Sequence, residues 1–282
     1  MNSPRPPSPP CSFRRSVCGL VLLTLAAAAL PSCETLPITG RRRVLVSSFI
    51  SMQDEIDLGA EAYRQSLAGV ELSSDEAERT RVRRVGKRIA AATGRSDLNW
   101  EFGVIKDDAV LNAWALPGGK VAVYTGLLGL TGGDDALLAT VMGHEIAHVT
   151  HRHGAENLTH DVLKNVTATA LLVGLQDQKE ETVTAVMVAF GLGAELGLRR
   201  PFNRKLESEA DHVGLIYMAR AGYDPARAME FWEKMSAAAG RGQPPKFLST
   251  HPPHDERIER LRELQVEARA EFKPLSVGGN PG

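Results

Sequence analysis

Apolar residues recur every three or four positions over most of the chain beyond residue 50, with charged residues between them. This spacing places the apolar side chains on one face and predicts a series of amphipathic helices. Asp75 and Asp224 stand where a helix N-cap is favoured, and Gly222 stands where a helix ends. The predicted helices cover residues 53–67, 75–94, 136–151, 202–221, 225–235 and 255–270.

Alternation of apolar and polar residues, which is typical of strands, occurs in fewer places. It predicts a strand over 100–106 and two short strands over 112–116 and 121–125. Pro117-Gly118-Gly119 between the last two is a turn signal, so these strands are expected to form a β-hairpin. Helices therefore dominate beside a small sheet, and the predicted fold class is α+β, mostly helical.

The composition is that of an ordinary soluble globular protein. The chain has 282 residues, of which 43% are hydrophobic and 24% charged, with a formal net charge of -1. This size allows one sizeable core or at most two small ones, and the near-zero charge argues against a nucleic-acid binder. Two further apolar runs, 166–175 and 183–198, are each too short to span a bilayer comfortably. They are predicted to be buried or substrate-facing helices.

The N-terminus differs from the rest of the chain. Arg14 and Arg15 precede an apolar run over 17–30, and the letters LPSC end at Cys33. Basic residues, a short apolar run and small residues form a secretory signal pattern, and LPSC resembles a bacterial lipobox. The expected organisation is a signal peptide over 1–32 with Cys33 lipidated, a tether over 33–52, a catalytic domain over 53–272 and a disordered tail over 273–282.

Cysteine usage restricts the chemistry of any metal site. Cys11 and Cys18 lie in the expected signal peptide, and Cys33 would carry lipid. The mature chain would then hold no free thiol and no disulfide. Metal ligands must therefore be histidines and carboxylates.

The predicted helix over 136–151 contains the pattern His-Glu-x-x-His. His144 and His148 are four residues apart, so both rings leave the same helical face and supply half of a tetrahedral zinc shell. Glu145, beside the first histidine, can reach a metal-bound water and take its proton. The pattern therefore predicts a catalytic zinc site that still lacks a third ligand.

A glutamate on a second helix is the favoured third ligand. Glu207 and Asp211 are four residues apart in the predicted helix over 202–221. Glu207 would bind zinc, and Asp211 would accept the outer N–H of a ligand histidine and fix its tautomer. Glu209 is offset by two and is expected to point elsewhere. His151 is disfavoured as a ligand, and with His153 it is expected to serve the helix end or the surface.

Five motifs occur together, in the chain order NAWALPGG, HEIAHVTHRH, ESEAD, AGYDP and STHPPHDER. The last lies at 249–257, and the NAWALPGG motif begins at Asn112. In this combination the chain resembles the zinc metalloendopeptidase family that includes HtpX, the CAAX-prenyl endopeptidase, Oma-type proteases and BepA- and LoiP-like proteins. The lipobox followed by LPITGRRRVLVSS is most similar to the bacterial periplasmic lipoprotein branch.

The resemblance implies a gluzincin-type fold with one Zn²⁺ per chain. It implies His144, His148 and Glu207 as ligands and Glu145 as general base. It further implies that the hairpin strand carrying Asn112 and Ala113 is an edge strand, along which substrate lies as an added strand.

The resemblance also points to His251 and Arg257. His251 is expected either to bind zinc as a fourth ligand, which would hold the enzyme latent, or to stabilise the oxyanion of the reaction. Arg257 would stabilise that anion or brace Asp211. His254 is a less favoured competitor for the role of His251.

The expected function is zinc-dependent endoproteolysis of protein or peptide substrates, with misfolded envelope proteins as the expected class. The alternatives are a periplasmic chaperone or assembly lipoprotein that uses the fold mainly for binding, and a lipoprotein with a structural zinc. The expected location is the bacterial periplasm, attached through the lipid on Cys33, with Glu34 favouring the outer membrane.

Overall fold

The structure is a computed structural model that describes residues 32–45, 51–164, 202–240, 245–251 and 256–275. Most of the expected signal peptide, both apolar runs, His254 and most of the expected tail lie outside the described residues. The helices are α1 (Met52–Leu67), α2 (Glu76–Ala92), α3 (Thr125–Leu130), α4 (Asp135–Thr150), α5 (His153–Lys164), α6 (Arg204–Arg220), α7 (Arg227–Ala239), α8 (Lys246–Thr250), α9 (Arg257–Glu263) and α10 (Gln265–Ala270).

Two small sheets accompany these helices. Strands β1 (Ser32–Thr35) and β2 (Arg42–Leu45) pair antiparallel. Strands β3 (Glu101–Ile105), β4 (Ala113–Leu116) and β5 (Lys120–Tyr124) form a sheet in the order β3-β5-β4. The predicted α+β fold, the strand near 100–106 and the hairpin are confirmed, and β4 lies at an edge of its sheet.

Polar N-caps start the helices that carry the candidate site. Asp134 accepts hydrogen bonds from the amides of Ala136 and Leu137 at the start of α4. Asn203 accepts from the amide of Leu206 at the start of α6. Such caps satisfy amides that have no partner within the helix, and each stabilises its helix by about 1 kcal/mol.

Helix α4 is the centre of the core. Residues 137–149 are buried without interruption, so the helix is covered on all sides and has no exposed polar face. It packs against α2, α6, α7 and β4. Its histidines and glutamate therefore lie inside the protein, where only paired or metal-binding polar groups are tolerated.

Two facing glycines allow α4 and α6 to pack with their backbones in contact. A Cβ atom on Gly143 would lie 2.8 Å from the carbonyl oxygen of Gly214, and one on Gly214 would lie 2.7 Å from the amide nitrogen of His144. Both neighbours are backbone atoms, which cannot rotate away. The glycines thus fix the distance between the two helices that carry the candidate ligands.

We expect Gly143→Ala to destabilise the protein, although alanine favours helices by up to about 1 kcal/mol over glycine. The added methyl group forces α4 and α6 apart, and such overpacking costs about 1–3 kcal/mol. Chemical denaturation measures the change. Gly129→Ala in α3, where the added Cβ would meet no atom within 4 Å, is the control and should be neutral or stabilising. Equal stability of Gly143→Ala and wild type would contradict this packing account.

The segment expected as a surface tether differs from that expectation. Its first part forms the β1–β2 hairpin, in which Leu36 and Arg43 are buried. Arg43 donates a hydrogen bond to the carbonyl oxygen of His151, so the hairpin is attached to the junction of α4 and α5. Cys33 lies in β1.

The other differences between the structure and the elements expected from the sequence are local. The expected final helix over 255–270 is divided at Leu264 into α9 and α10. The short helices α3 and α8 and the longer α5 lie in segments where no helix was expected. A helix with the length and apolarity of a membrane span is absent from the described residues.

Candidate metal centre

Helices α4 and α6 bring the predicted ligands together. The Nε2 atoms of His144 and His148 are 3.1 Å apart. Each lies 3.5 Å from an oxygen of Glu207. All three side chains are at most 2% exposed, so the predicted pair of helices does form one buried site.

His251 completes this group from the loop after α8. Its Nδ1 atom lies 3.0 Å from Oε1 of Glu207 and 3.2 Å from Nε2 of His144. The ring stacks on Phe247 with centroids 4.5 Å apart and on Phe202 with centroids 5.6 Å apart. Two aromatic rings thus hold His251 against the predicted ligands.

The four side chains fit a metal ion. One ligand atom from each of His144, His148, Glu207 and His251 lies within 4.8 Å of the others. A tetrahedral zinc ion with bonds of about 2.0–2.1 Å spaces its ligand atoms about 3.3–3.4 Å apart. Neighbouring ligand atoms, with either oxygen of Glu207 counted, are 3.0 to 3.5 Å apart, which is close to that spacing. The donors, imidazole nitrogens and a carboxylate, are those that zinc prefers.

The ionisation of these groups also suits a cation. Burial lowers the pKa of His144, but hydrogen bonds to Asp211 and Glu207 outweigh it and raise the pKa to about 9. Burial raises the pKa of Glu207, but the nearby histidines, His251 first, hold it well below its usual range. The carboxylate of Glu207 is therefore ionised, which is the form that binds a metal.

Glu145 lies beside the ligand group with a free oxygen. Its carboxylate accepts a hydrogen bond from the backbone amide of Ala115 in β4. Its Oε1 atom is buried, makes no hydrogen bond to the described residues, and lies 3.4 Å from Nε2 of His251. Burial raises the pKa of Glu145. A buried carboxylate oxygen without a hydrogen bond, next to a ligand group, fits a general base.

An aspartate and an arginine support the ligands from outside. Asp211 accepts a hydrogen bond from Nδ1 of His144 at 2.9 Å. Arg257 donates to Asp211 through Nε at 2.7 Å and to Glu207 through Nη2 at 2.8 Å. The guanidinium also lies 3.8 Å from the ring centroid of Trp232. Arg257 is thereby held between two carboxylates and an aromatic face.

The expectation for His151 and His153 was wrong in one respect, because neither lies on the surface. His151 is 2% exposed and His153 is fully buried. His151 lies outside the four-residue group. His153 begins α5 and contacts His148 through the two Nδ1 atoms, 2.9 Å apart. A reversal of the chain after α4, where Arg152 has a φ of 48°, brings His153 back to the site.

The edge strand β4 borders the site. The carbonyl of Asn112 accepts from the amide of Tyr124, so this group is used within the sheet. The amide of Ala115 points away from β5 towards Glu145. Because backbone groups alternate along a strand, Ala113 faces the same open edge as Ala115. Ala115 was missed at the sequence level, although it lies two residues from Ala113 in the expected strand.

Comparison with known proteins identifies the family. A family model described as Peptidase family M48 matches residues 76–265, which is more than half of the chain. The chain belongs to peptidase family M48. The matched region includes β4 and the whole described metal group.

Several curated proteins are similar to the chain. It is 37% identical over 240 residues to the mitochondrial metalloendopeptidase OMA1 of Schizosaccharomyces pombe, covering 84% of this chain and 67% of that protein. It is 32% identical over 246 residues to the human mitochondrial metalloendopeptidase OMA1, covering 83% and 46%. It is 30% identical over 268 residues to a putative beta-barrel assembly-enhancing protease of Vibrio cholerae, covering 92% and 53%. The chain thus spans about half to two thirds of these relatives' length.

Family membership confirms the expected class, a metallopeptidase whose cofactor is zinc. Zinc also agrees with the donors and spacing of the ligand group. The resemblance to Oma-type and BepA-like proteases is likewise confirmed, since both kinds appear among the relatives.

Proposed function

We propose that the chain is a zinc-dependent endopeptidase that cleaves internal peptide bonds of unfolded or misassembled proteins. The observation that carries the proposal is the position of Glu145, a buried carboxylate between the ligand group and the open edge of β4. A carboxylate in that position can act on a peptide that pairs with the strand.

The proposed roles follow from the contacts. His144, His148 and Glu207 would hold the zinc ion. When bound, zinc supplies Lewis-acid chemistry that lowers the pKa of a bound water to about 7 and polarises a peptide carbonyl. Glu145 accepts the proton of the attacking water and gives it to the leaving amine.

Asp211 and Arg257 support this arrangement from outside. Asp211 fixes the tautomer of His144, so that the unprotonated Nε2 faces the other ligand atoms and could bind zinc. The contacts of Arg257 with Asp211 and Glu207 favour the bracing role over direct stabilisation of an oxyanion.

The substrate is proposed to bind as an extended strand beside β4. The backbone groups of Ala113 and Ala115 face that edge, and main-chain pairing recognises any extended chain regardless of its side chains. An extended segment is available in unfolded proteins, which supports quality control as the role. Asn112 contributes by holding the start of β4 to β5.

The location is proposed to be the bacterial periplasm, with the chain anchored to the outer membrane through lipid on Cys33. The signal-like N-terminus and the lipobox support this. Two relatives are beta-barrel assembly-enhancing proteases of bacteria, although others are mitochondrial. Misassembled envelope proteins are the corresponding substrate class.

Cleavage of unfolded casein by the purified, zinc-loaded full chain tests the proposal. We expect internal fragments, identified by mass spectrometry, and little cleavage of a stably folded protein. Release of terminal residues alone, or no cleavage at all, would contradict endopeptidase function.

His251 is proposed to hold the enzyme latent. Its Nδ1 atom takes the fourth position of the ligand group, and its Nε2 atom faces Glu145, where water and substrate must enter. If this contact is worth about 1.4 kcal/mol, His251→Ala raises the rate of casein cleavage roughly tenfold. His212→Ala, which removes a histidine bonded to Glu267 instead, is the control and should leave the rate unchanged. Equal or lower activity of His251→Ala would favour the oxyanion role instead.

A further inference from the structure

The outer nitrogen of His148 has an unusual partner. His144 is supported directly by the carboxylate of Asp211, whereas His148 is supported by a second histidine. The Nδ1 atoms of His148 and His153 are 2.9 Å apart, and Nε2 of His153 lies 3.0 Å from an oxygen of Glu209. All three side chains are at most 3% exposed. The outer nitrogen of His148, Nδ1, is therefore connected to the carboxylate of Glu209 through His153.

The protons in this chain of contacts have one consistent arrangement. Nε2 of His148 faces the other ligand atoms, so its proton is on Nδ1 and is donated to Nδ1 of His153. His153 must then carry its own proton on Nε2, which it donates to Glu209. An ionised Glu209 only accepts, and it therefore fixes both tautomers. Glu209 lies outside the ligand group, as expected, and contacts His153 and Arg41 instead.

Glu209 is held in place by the N-terminal hairpin. Arg41, immediately before β2, donates to Glu209 through Nε at 2.7 Å and to both oxygens of Glu156 in α5 at 2.7 Å. The hydroxyl of Thr39 donates to the other oxygen of Glu209 at 2.6 Å. Charge-assisted bonds of this kind are strong where the partners are buried, and the carboxylates here are at most 4% exposed.

We propose that Arg41 is a positioning residue of the zinc site, acting on His148 through Glu209 and His153, which rests on the ligand role proposed above for His148. Arg41 is then the counterpart of Arg257, which holds Asp211 behind His144. The hairpin that contains Cys33, the expected lipidation site, is thus part of the support of the metal site. By linkage, the contact between Arg41 and Glu209 strengthens zinc binding, and zinc binding strengthens that contact by the same factor.

Zinc affinity tests this proposal in the full chain carrying Glu145→Gln, which prevents self-cleavage. Competition with a chromogenic zinc chelator gives the zinc Kd of the Glu145→Gln parent. It also gives the zinc Kd of the parent carrying Arg41→Met, His153→Phe or both substitutions. Loss of an outer partner typically weakens metal binding about 10–100-fold. We expect the zinc Kd to rise roughly 10-fold in Arg41→Met and up to about 100-fold in His153→Phe. If both act along one path, the double variant should bind no more weakly than His153→Phe alone.

Arg43→Met is the matched control, because Arg43 attaches the same hairpin to the carbonyl of His151 and does not contact Glu209. Arg43→Met should leave the zinc Kd within about threefold of that of the parent. This change is much smaller than the roughly 10–100-fold weakening that loss of an outer partner causes. The absorption spectrum of the cobalt-substituted protein should change in Arg41→Met and His153→Phe and stay unchanged in Arg43→Met. Equal weakening by both arginine variants, or additive losses in the double variant, would overturn the relay.

The outcomes separate this proposal from the ligand assignment. Full zinc affinity in His148→Ala would refute the ligand role itself. Normal zinc affinity in His153→Phe, alongside weak binding in His148→Ala, would refute only the relay. If Arg41→Met does not fold, His153→Phe still tests the relay, because the His153→Phe substitution leaves the hairpin contacts of Arg41 in place.

Discussion

Replacing Glu145 with glutamine should abolish proteolysis while the fold and the zinc content stay unchanged. The amide has nearly the same shape and can keep a contact with the backbone of Ala115, but it cannot accept a proton from water. Loss of a general base lowers a rate by about 10²–10⁴-fold. The measurement is casein cleavage by the purified variant, with zinc determined by elemental analysis on the same sample.

Glu259→Gln, which changes an exposed acid in α9, is the control and should cleave casein at the wild-type rate. Undiminished cleavage by Glu145→Gln would refute the proposed mechanism. The Glu145→Gln variant also distinguishes a protease from a chaperone or assembly factor that uses the fold mainly for binding. If Glu145→Gln rescued the phenotype of a strain lacking the protein, the main role would be that of a chaperone or assembly factor.

Replacing Glu207 with alanine should remove zinc from the protein. Glu207 supplies the only carboxylate of the ligand group and lies within 3.5 Å of both helix-borne histidines. The effect on zinc Kd should exceed the roughly 10–100-fold that loss of an outer partner causes. Chelator competition and elemental analysis measure it.

The same substitution leaves Arg257 without one of its two carboxylates, and breaking a buried pair costs about 3–5 kcal/mol. Thermal unfolding should therefore be followed beside the zinc content, with Glu207→Gln as a milder variant and Glu233→Ala on the exposed side of α7 as control. A full complement of zinc in a folded Glu207→Ala protein would refute its ligand role.

Most of the fold could be predicted because its signals are local. Asp75, Asp134 and Asn203 cap their helices through side-chain bonds that depend only on neighbouring residues. The hairpin turn at Gly118-Gly119 has φ of 79° and 83°, which glycine adopts at little cost. The complete burial of α4 was not predictable from periodicity, since a helix covered on all sides has no polar face.

The metal group could be predicted because its residues also follow local helical spacing. His144 and His148 share a face by helical spacing, and Glu207 was found as the acid of a second such pair with Asp211. The meeting of the two helices depends on Gly143 and Gly214, and their facing positions become apparent only in three dimensions.

The support of His148 could not be predicted, because it combines a local reversal of the chain with two distant segments. The position of His153 in the sequence indicates a helix end, and the chain reversal at Arg152 that brings it to His148 has no signal in the sequence. Glu209 was judged only by its offset from Glu207, and Arg41 belonged to a segment expected to be a tether. Arg41 and Glu209 are 168 positions apart in the sequence, and a contact between residues so far apart leaves no local pattern.

Removal and return of the metal tests the central claim most directly. The full chain should contain one zinc ion, and a chelator should abolish casein cleavage, which stoichiometric zinc then restores. Cleavage that continues after complete removal of zinc would contradict the assignment of His144, His148 and Glu207 as a catalytic metal site.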